Sequence, residues 1–132
     1  MSAPLGWHTL VILESPYAGD VELNTRYARA CLRDSLLRGE APIASHLLYT
    51  QPGVLKDDNP QERNHGIEAG LAWGQVAKAT VVYIDLGTTS GMLKGINAAV
   101  GAGRAVFYRS LDDWASDGED APLCAAQDGE GT

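Results

Sequence analysis

Residues 80–99, which read TVVYIDLGTTSGMLKGINAA, constrain the fold of this chain more than any other stretch. Residues 81–84 are a continuous, largely β-branched run, which is typical of a strand covered on both faces by helices. Asp85 marks the end of the strand, and a Gly-, Thr- and Ser-containing turn leads into a helix. The free N–H groups at such a helix start can bind an anion or a sugar hydroxyl. Alternatively, Thr89 or Ser90 only caps the helix.

The rest of the chain alternates between strands and helices in the same way. We predict further strands at 8–13, 42–44 and 104–109, and helices at 21–38, 45–49, 60–78 and from 90 to about 101. This alternation predicts a parallel sheet with right-handed crossovers and helices on both faces. The expected fold is therefore a Rossmann-like or flavodoxin-like α/β domain, a three-layer sandwich with a parallel sheet of four or five strands.

A chain of 132 residues that is 45% hydrophobic has room for one domain of ordinary size. We place this domain at residues 1–111, because residues 112–132 hold seven acidic residues and no Lys or Arg, which predicts a flexible tail. The other 10 acidic residues are matched by 10 basic ones, so the domain has no basic stripe for a phosphate backbone. Duplex nucleic acid is not expected as a main ligand.

The cysteines and the apolar segments predict a reduced, cytoplasmic setting. Cys31 and Cys124 show neither metal-ligand spacing nor a disulfide framework, so no metal site is expected. No apolar run approaches the roughly 18 residues that span a bilayer, and the N-terminus lacks the pattern of a signal peptide. We therefore expect no membrane partner. Dinucleotide and P-loop fingerprints are missing from the sequence as well, and no cofactor is expected.

Polar residues follow three of the predicted strands where each strand ends. Ligands of open parallel sheets bind beyond the carboxyl ends of the strands, so these residues are site candidates by position. They are Glu14, Ser15, Tyr17, Ser45, His46 and Asp85. Each has a structural alternative as an ordinary loop or strand-end residue. His46 could act as an acid or base, but a histidine without a visible carboxylate partner is more often structural.

Two glycines interrupt the predicted helix at 60–78. Gly66 and Gly70 flank Glu68 on either side. A glycine inside a helix costs about 1 kcal/mol relative to alanine, so the pair indicates close packing against another element or a ligand. A contact with a second subunit would explain them equally well.

The candidate residues also carry a family resemblance. The segments Glu14-Ser15-Pro16-Tyr17, Ser45-His46, Asp85 and Ser90-Gly91-Met92 resemble the small phage and bacterial proteins related to nucleoside 2-deoxyribosyltransferases. The resemblance covers about residues 9–111, and residues 62–70 look like a phage-borne branch of unassigned function. It implies a site for a nucleoside or nucleotide, a homo-oligomer whose subunits share pockets, and the cytoplasm of a bacterium or a phage-infected host cell.

The chain departs from that family at its catalytic residue. The related enzymes cleave an N-glycosidic bond with a glutamate in a pattern like G-M-E-L-G, whereas the corresponding segment here is Gly91-Met92-Leu93-Lys94-Gly95. Leu93 has no lone pair to attack the anomeric carbon, so the covalent mechanism does not transfer. Ser90 remains similar to the serine that contacts the 5′-end of the ligand in nucleotide-using relatives.

Three functions are compatible with this pattern, and the first is favoured because the lost glutamate is specific. In the first, the chain binds a nucleoside, a nucleotide or a derived metabolite without catalysis. Alternatively, it is a deoxyribosyltransferase or an N-glycosidase with a relocated carboxylate from Glu14, Glu68 or Asp85. In the third, it is a scaffold without a small ligand. The predicted ligand-binding residues are Ser15, Tyr17, Ser45, His46, Thr89, Ser90 and Gly91.

Overall fold

A computed structural model describes residues 8–112 and 114 of the chain. Its elements in chain order are β1 (Leu10–Glu14), α1 (Val21–Leu37), β2 (Ala41–Ile43), α2 (Ser45–Leu48), α3 (Pro60–Ala72), a 3₁₀ turn (Trp73–Gln75), β3 (Ala79–Tyr83), α4 (Ser90–Gly101) and β4 (Ala105–Arg109). The strands form one sheet in the order β2-β1-β3-β4, and every neighbouring pair is parallel. The predicted α/β fold is confirmed, with four strands in the described part of the chain.

The two faces of the sheet are covered by different helices. Leu13 and Val81 belong to a buried cluster with Tyr27 of α1 on one face. Val82, the next residue along β3, packs with Met92 of α4 in a second cluster. Because successive strand residues point to opposite faces, α1 and α4 lie on opposite sides of the sheet. This arrangement is the three-layer sandwich that the alternation predicts.

The boundaries of β3 differ from the prediction at both ends. Pairing begins at Ala79, which lies opposite Val11 of β1 and Ala105 of β4. Residues Ala79–Tyr83 are fully buried, whereas Ile84 is 40% exposed and lies beyond the strand. The preceding helix is also shorter than expected, because α3 ends at Ala72 and continues only as the 3₁₀ turn.

A buried ion pair links the two edge strands. Glu40, which directly precedes β2, accepts hydrogen bonds from Ser35 at 2.7 Å and from Arg109 of β4 at 2.8 Å. Arg109 also donates to the hydroxyl of Tyr83 at 3.2 Å. Burial raises the pKa of Glu40, but the bonds from Arg109 and Ser35 outweigh it and hold that pKa below its ordinary value. The carboxylate is therefore ionised and fully engaged in the fold.

The packing of the domain extends past residue 111. Trp114, which falls in the predicted tail, is buried against Tyr27 with ring centroids 5.0 Å apart. The remaining predictions for the tail concern residues outside the described part of the chain, Cys124 among them. In the described part, Cys31 is a buried free thiol. None of the helices there is both long enough and apolar enough to cross a membrane.

Candidate ligand-binding site

A cavity of about 160 Å³ lies beyond the carboxyl ends of β1 and β2, between α2, α3 and the first turns of α4. The chain order of the sheet reverses beside β1, which is where open α/β sheets bind their ligands. A cavity of about 150 Å³ is large enough to take up benzene. A cavity of this volume therefore suits one ring, and a larger ligand would extend out of it.

The structure brings most of the predicted site residues together around this cavity. Those that line it are Glu14, Ser15, Tyr17, Ser45, His46, Thr89, Ser90 and Gly91. They come from the ends of β1 and β2 and from the start of α4, as the topology requires. The positional argument from strand ends and the cavity therefore point to the same edge of the sheet.

Two predicted carboxylates do not line the cavity. Asp85 accepts hydrogen bonds from the hydroxyl of Tyr27 at 2.6 Å and from the backbone N–H of Leu111 at 2.9 Å. Glu68 is exposed on α3, where Asn64 donates to it at 3.3 Å. Asp85 therefore ties the end of β3 to α1, and Glu68 faces solvent. Of the three candidate catalytic carboxylates, only Glu14 faces the cavity.

Glu14 is held against the backbone of α4. A Cβ atom built on Gly95 would collide with Oε2 of Glu14, so glycine at this position leaves the space that the carboxyl group occupies. No described residue forms a hydrogen bond with that carboxyl group. Burial raises the pKa of Glu14 to about 8, with Arg104 opposing the shift, and Glu14 therefore carries its proton at pH 7.

His46 is oriented by a serine rather than by a carboxylate. Nε2 of His46 lies 2.7 Å from the hydroxyl oxygen of the buried Ser15. Burial lowers the pKa of His46 to about 4, so the imidazole is neutral at pH 7. Ser15 therefore engages one of the two ring nitrogens of His46. Sequence reasoning found both residues but not their pairing.

Thr89 caps α4, as one of the two sequence interpretations predicts. Its hydroxyl accepts a hydrogen bond from the N–H of Met92 at 3.2 Å. The first N–H groups of a helix have no intrahelical acceptor, and here they belong to Ser90 and Gly91, which line the cavity. The positive end of the helix dipole is therefore directed to one wall of the cavity.

The glycines of α3 are explained by packing within the chain. A Cβ atom on Gly70 would collide with the hydroxyl of Ser45 in α2, and one on Gly66 would lie 3.3 Å from Leu55. Because both positions are glycine, α3 packs closely against α2 and the loop that contains Leu55, and residues of α2 and α3 line the cavity. Close packing against another element of the same chain, one of the three explanations offered for Gly66 and Gly70, is therefore observed.

Sequence reasoning missed the charged residues of the cavity. They are Asp57, Glu62, Arg63, Lys94 and Arg104. Arg104 is engaged by the carbonyl of Gly74 at 2.9 Å and by the hydroxyl of Thr80 at 3.1 Å. Lys94 forms no ion pair with a described residue and stands next to Gly95 in the motif. Lys94 lies within the segment that corresponds to the G-M-E-L-G pattern, and this position could have identified it as a cavity residue.

The cavity thus combines a neutral carboxyl group, a neutral imidazole, hydroxyl groups and both acidic and basic side chains. It can donate and accept hydrogen bonds inside and attract an anion at the start of α4. Among residues 8–112 and 114, no group of three His, Cys, Asp or Glu side chains is arranged to hold a metal ion. The chemistry available from these residues is recognition by hydrogen bonds and transfer of a proton.

One protein family, described as Domain of unknown function (DUF7768), matches residues 9–109 of the chain. No curated protein and no solved structure matches the chain. The matched residues include all four described strands and every residue that lines the cavity.

We expect Glu14→Gln to change how stability depends on pH. Because the native pKa of Glu14 is raised from 4.5 to about 8, the native state binds more protons than the unfolded state between these two pH values. The stability of the parent therefore falls as the pH rises from 4.5 to about 8. The lowered pKa of His46 acts in the opposite direction, between about 4 and 6.5. Between pH 6.5 and 8 the parent should lose about 2 kcal/mol relative to Glu14→Gln, measured by urea unfolding.

The matched control is Glu68→Gln, which removes an exposed glutamate outside the cavity. Its stability should follow that of the parent across the same pH range. Parallel curves for the parent and Glu14→Gln would mean that Glu14 is already ionised in the native state at pH 6.5.

Proposed function

The chain belongs to the family described as Domain of unknown function (DUF7768), and we propose that it binds a nucleoside, a nucleotide or a derived metabolite in the cavity beside Glu14. The carboxyl group of Glu14 carries this proposal, because it faces the cavity and no described residue hydrogen-bonds it. Glu14 is half-buried at the edge of the sheet, so its carboxyl group is left able to pair with a ligand.

The shape and charge of the cavity support a ligand with a ring and an anionic end. The volume of the cavity suits one ring, while Lys94 and the start of α4 provide a place for a phosphate group. The resemblance to nucleoside 2-deoxyribosyltransferases supports the same ligand class. Leu93 stands where those enzymes carry their nucleophile, is 48% exposed and does not line the cavity. Binding without the covalent reaction is therefore favoured.

A second candidate is an enzyme that cleaves an N-glycosidic bond, and the protonated state of Glu14 favours it. A carboxyl group with a pKa near 8 can act as a general acid at neutral pH. In such a reaction the bond between C1′ and the base nitrogen breaks, and the base takes the proton of Glu14. Water adds its hydroxyl to C1′ and returns a proton to Glu14. A deoxyribosyltransferase would use an acceptor base in place of water.

We also propose that the chain forms a homo-oligomer, with a contact near α3. Leu71 is 45% exposed, Trp73 42% and Val76 53%, so this end of the helix presents apolar side chains to solvent. Trp73 is held by a hydrogen bond from its indole N–H to the hydroxyl of Tyr49 at 2.8 Å. Because Leu71 also lines the cavity, a second subunit here would lie close to the ligand.

Ligand binding should depend on glycine at position 95. In a thermal-shift panel of 2′-deoxynucleosides and their 5′-monophosphates, a ligand at 100 times its Kd should stabilise the parent by about 2.7 kcal/mol. Gly95→Ala should lose this effect, because the new Cβ displaces the flexible end of Glu14 into the cavity. Gly101→Ala in the same helix should keep it, since nothing lies within 4 Å of the Cβ added there. A panel in which no compound stabilises the parent would contradict the proposed function.

The enzymatic candidate predicts free base from the same panel, detected by mass spectrometry. Glu14→Gln should abolish the release, because an amide cannot transfer the proton that the leaving base needs. Glu68→Gln should release base at the parental rate, since Glu68 lies outside the cavity. If the parent releases no base while still binding a ligand, this candidate is wrong and binding alone remains.

A further inference from the structure

Ser15 and His46 form a hydrogen-bonded pair in the wall of the cavity. The hydroxyl oxygen of Ser15 lies 2.7 Å from Nε2 of His46, and both residues line the cavity. The fold brings them together, because Ser15 directly follows β1 and His46 lies in α2, just after β2. A nucleophile and its base lie about 2.6–3.2 Å apart when a proton passes between them. The distance is therefore that at which a histidine activates a serine.

The imidazole of His46 is available as a base without a carboxylate behind it. A histidine with the ordinary pKa of about 6.5 is neutral at pH 8. Burial lowers the pKa of His46 further, and no described carboxylate hydrogen-bonds its ring. Disabling the aspartate of a Ser-His-Asp triad lowers the rate about 10⁴-fold. The pair is therefore suited to esters, because an alkoxide leaves more readily than the amine of an amide.

The cavity also holds donors for the negative charge that an attacked ester develops on its carbonyl oxygen. Pro16 follows Ser15 and has no N–H, so the donor that α/β-hydrolases place after their nucleophile is missing. The first N–H groups of α4 have no intrahelical acceptor, and their residues, Ser90 and Gly91, line the same cavity. Together with the helix dipole, these groups would stabilise the oxyanion instead.

We propose that Ser15 is a nucleophile activated by His46, and that the cavity hydrolyses esters of small carboxylic acids. This inference goes beyond the proposed function and does not depend on it, since neither Glu14 nor a nucleobase takes part. A volume of about 160 Å³ suits an acyl group up to the size of one ring.

The reaction consumes only the ester and water. The oxygen of Ser15 forms a bond to the carbonyl carbon, while the serine proton moves to Nε2 of His46. The bond from that carbon to the alcohol oxygen then breaks, and the alcohol leaves with the proton from His46. Water next attacks the acyl group and gives a proton to His46. The bond to the Ser15 oxygen breaks, this oxygen takes the proton, and the carboxylic acid is released.

Diisopropyl fluorophosphate tests the activation of Ser15, because it reacts with activated serines and leaves ordinary ones intact. The serine oxygen bonds to phosphorus, and fluoride leaves. At pH 8 we expect one adduct per full-length chain, located at Ser15 by peptide mass spectrometry. Ser15→Ala should take up none. His46→Asn should react at least about a hundredfold more slowly, since a general base contributes about 10²–10⁴-fold.

The matched controls are Ser110→Ala and His65→Asn, which replace an exposed serine and an exposed histidine outside the cavity. Both should form the Ser15 adduct at the parental rate. His46→Gln is a second removal of the base and should react as slowly as His46→Asn. Circular dichroism identifies the variants that are folded, and only these are compared.

An ester with a small acyl group tests the substrate class. Incubation with p-nitrophenyl acetate at pH 8 should leave an acetyl group on Ser15 and release p-nitrophenol over many turnovers. Ser15→Ala should lose the turnover. A Ser15 adduct with the fluorophosphate but no acetyl group from the ester would show that the ester class is wrong. The whole inference is overturned if the folded parent forms no adduct at Ser15, or if the folded His46 variants react at the parental rate.

Discussion

The contact between the carboxyl group of Glu14 and the backbone of α4 at Gly95 determines the form of the cavity. β1 lies between β2 and β3, so its last residue points into the crevice where the chain order reverses. A side chain at position 95 would fill the space that Glu14 occupies. The close approach of α4 to the end of β1 therefore depends on glycine, and with it the burial of the carboxyl group.

Two glutamates of this domain have pKa values shifted in opposite directions. Glu40 accepts hydrogen bonds from Arg109 and Ser35, and these bonds keep its pKa below the ordinary value despite burial. Glu14 has no such bonds among the described residues, and burial raises its pKa to about 8. The first glutamate contributes to the fold by joining the edge strands. The second lines the cavity and has no hydrogen-bond partner among the described residues.

The fold could be predicted from the sequence, and so could the edge of the sheet at which the cavity lies, because both follow from the order of strands and helices. Residues after β1 and β2 meet at one edge of a parallel sheet whatever the details of packing. The roles of individual side chains could not be predicted in this way. Asp85 is engaged by Tyr27 of α1, a partner that is far from it in sequence. The acid state of Glu14 depends likewise on Gly95, and a residue pattern does not show how closely two elements pack.

The most direct test of the account is the titration of the Glu14 carboxyl group, followed by its carbonyl ¹³C chemical shift and assigned by comparison with Glu14→Gln. The structure predicts that Glu14 is protonated at pH 7 and titrates with a pKa of about 8. A titration near the ordinary value of 4.5, with the group ionised at pH 7, would contradict it. In that case Glu14 would be an acceptor only, and the general-acid chemistry would not remain.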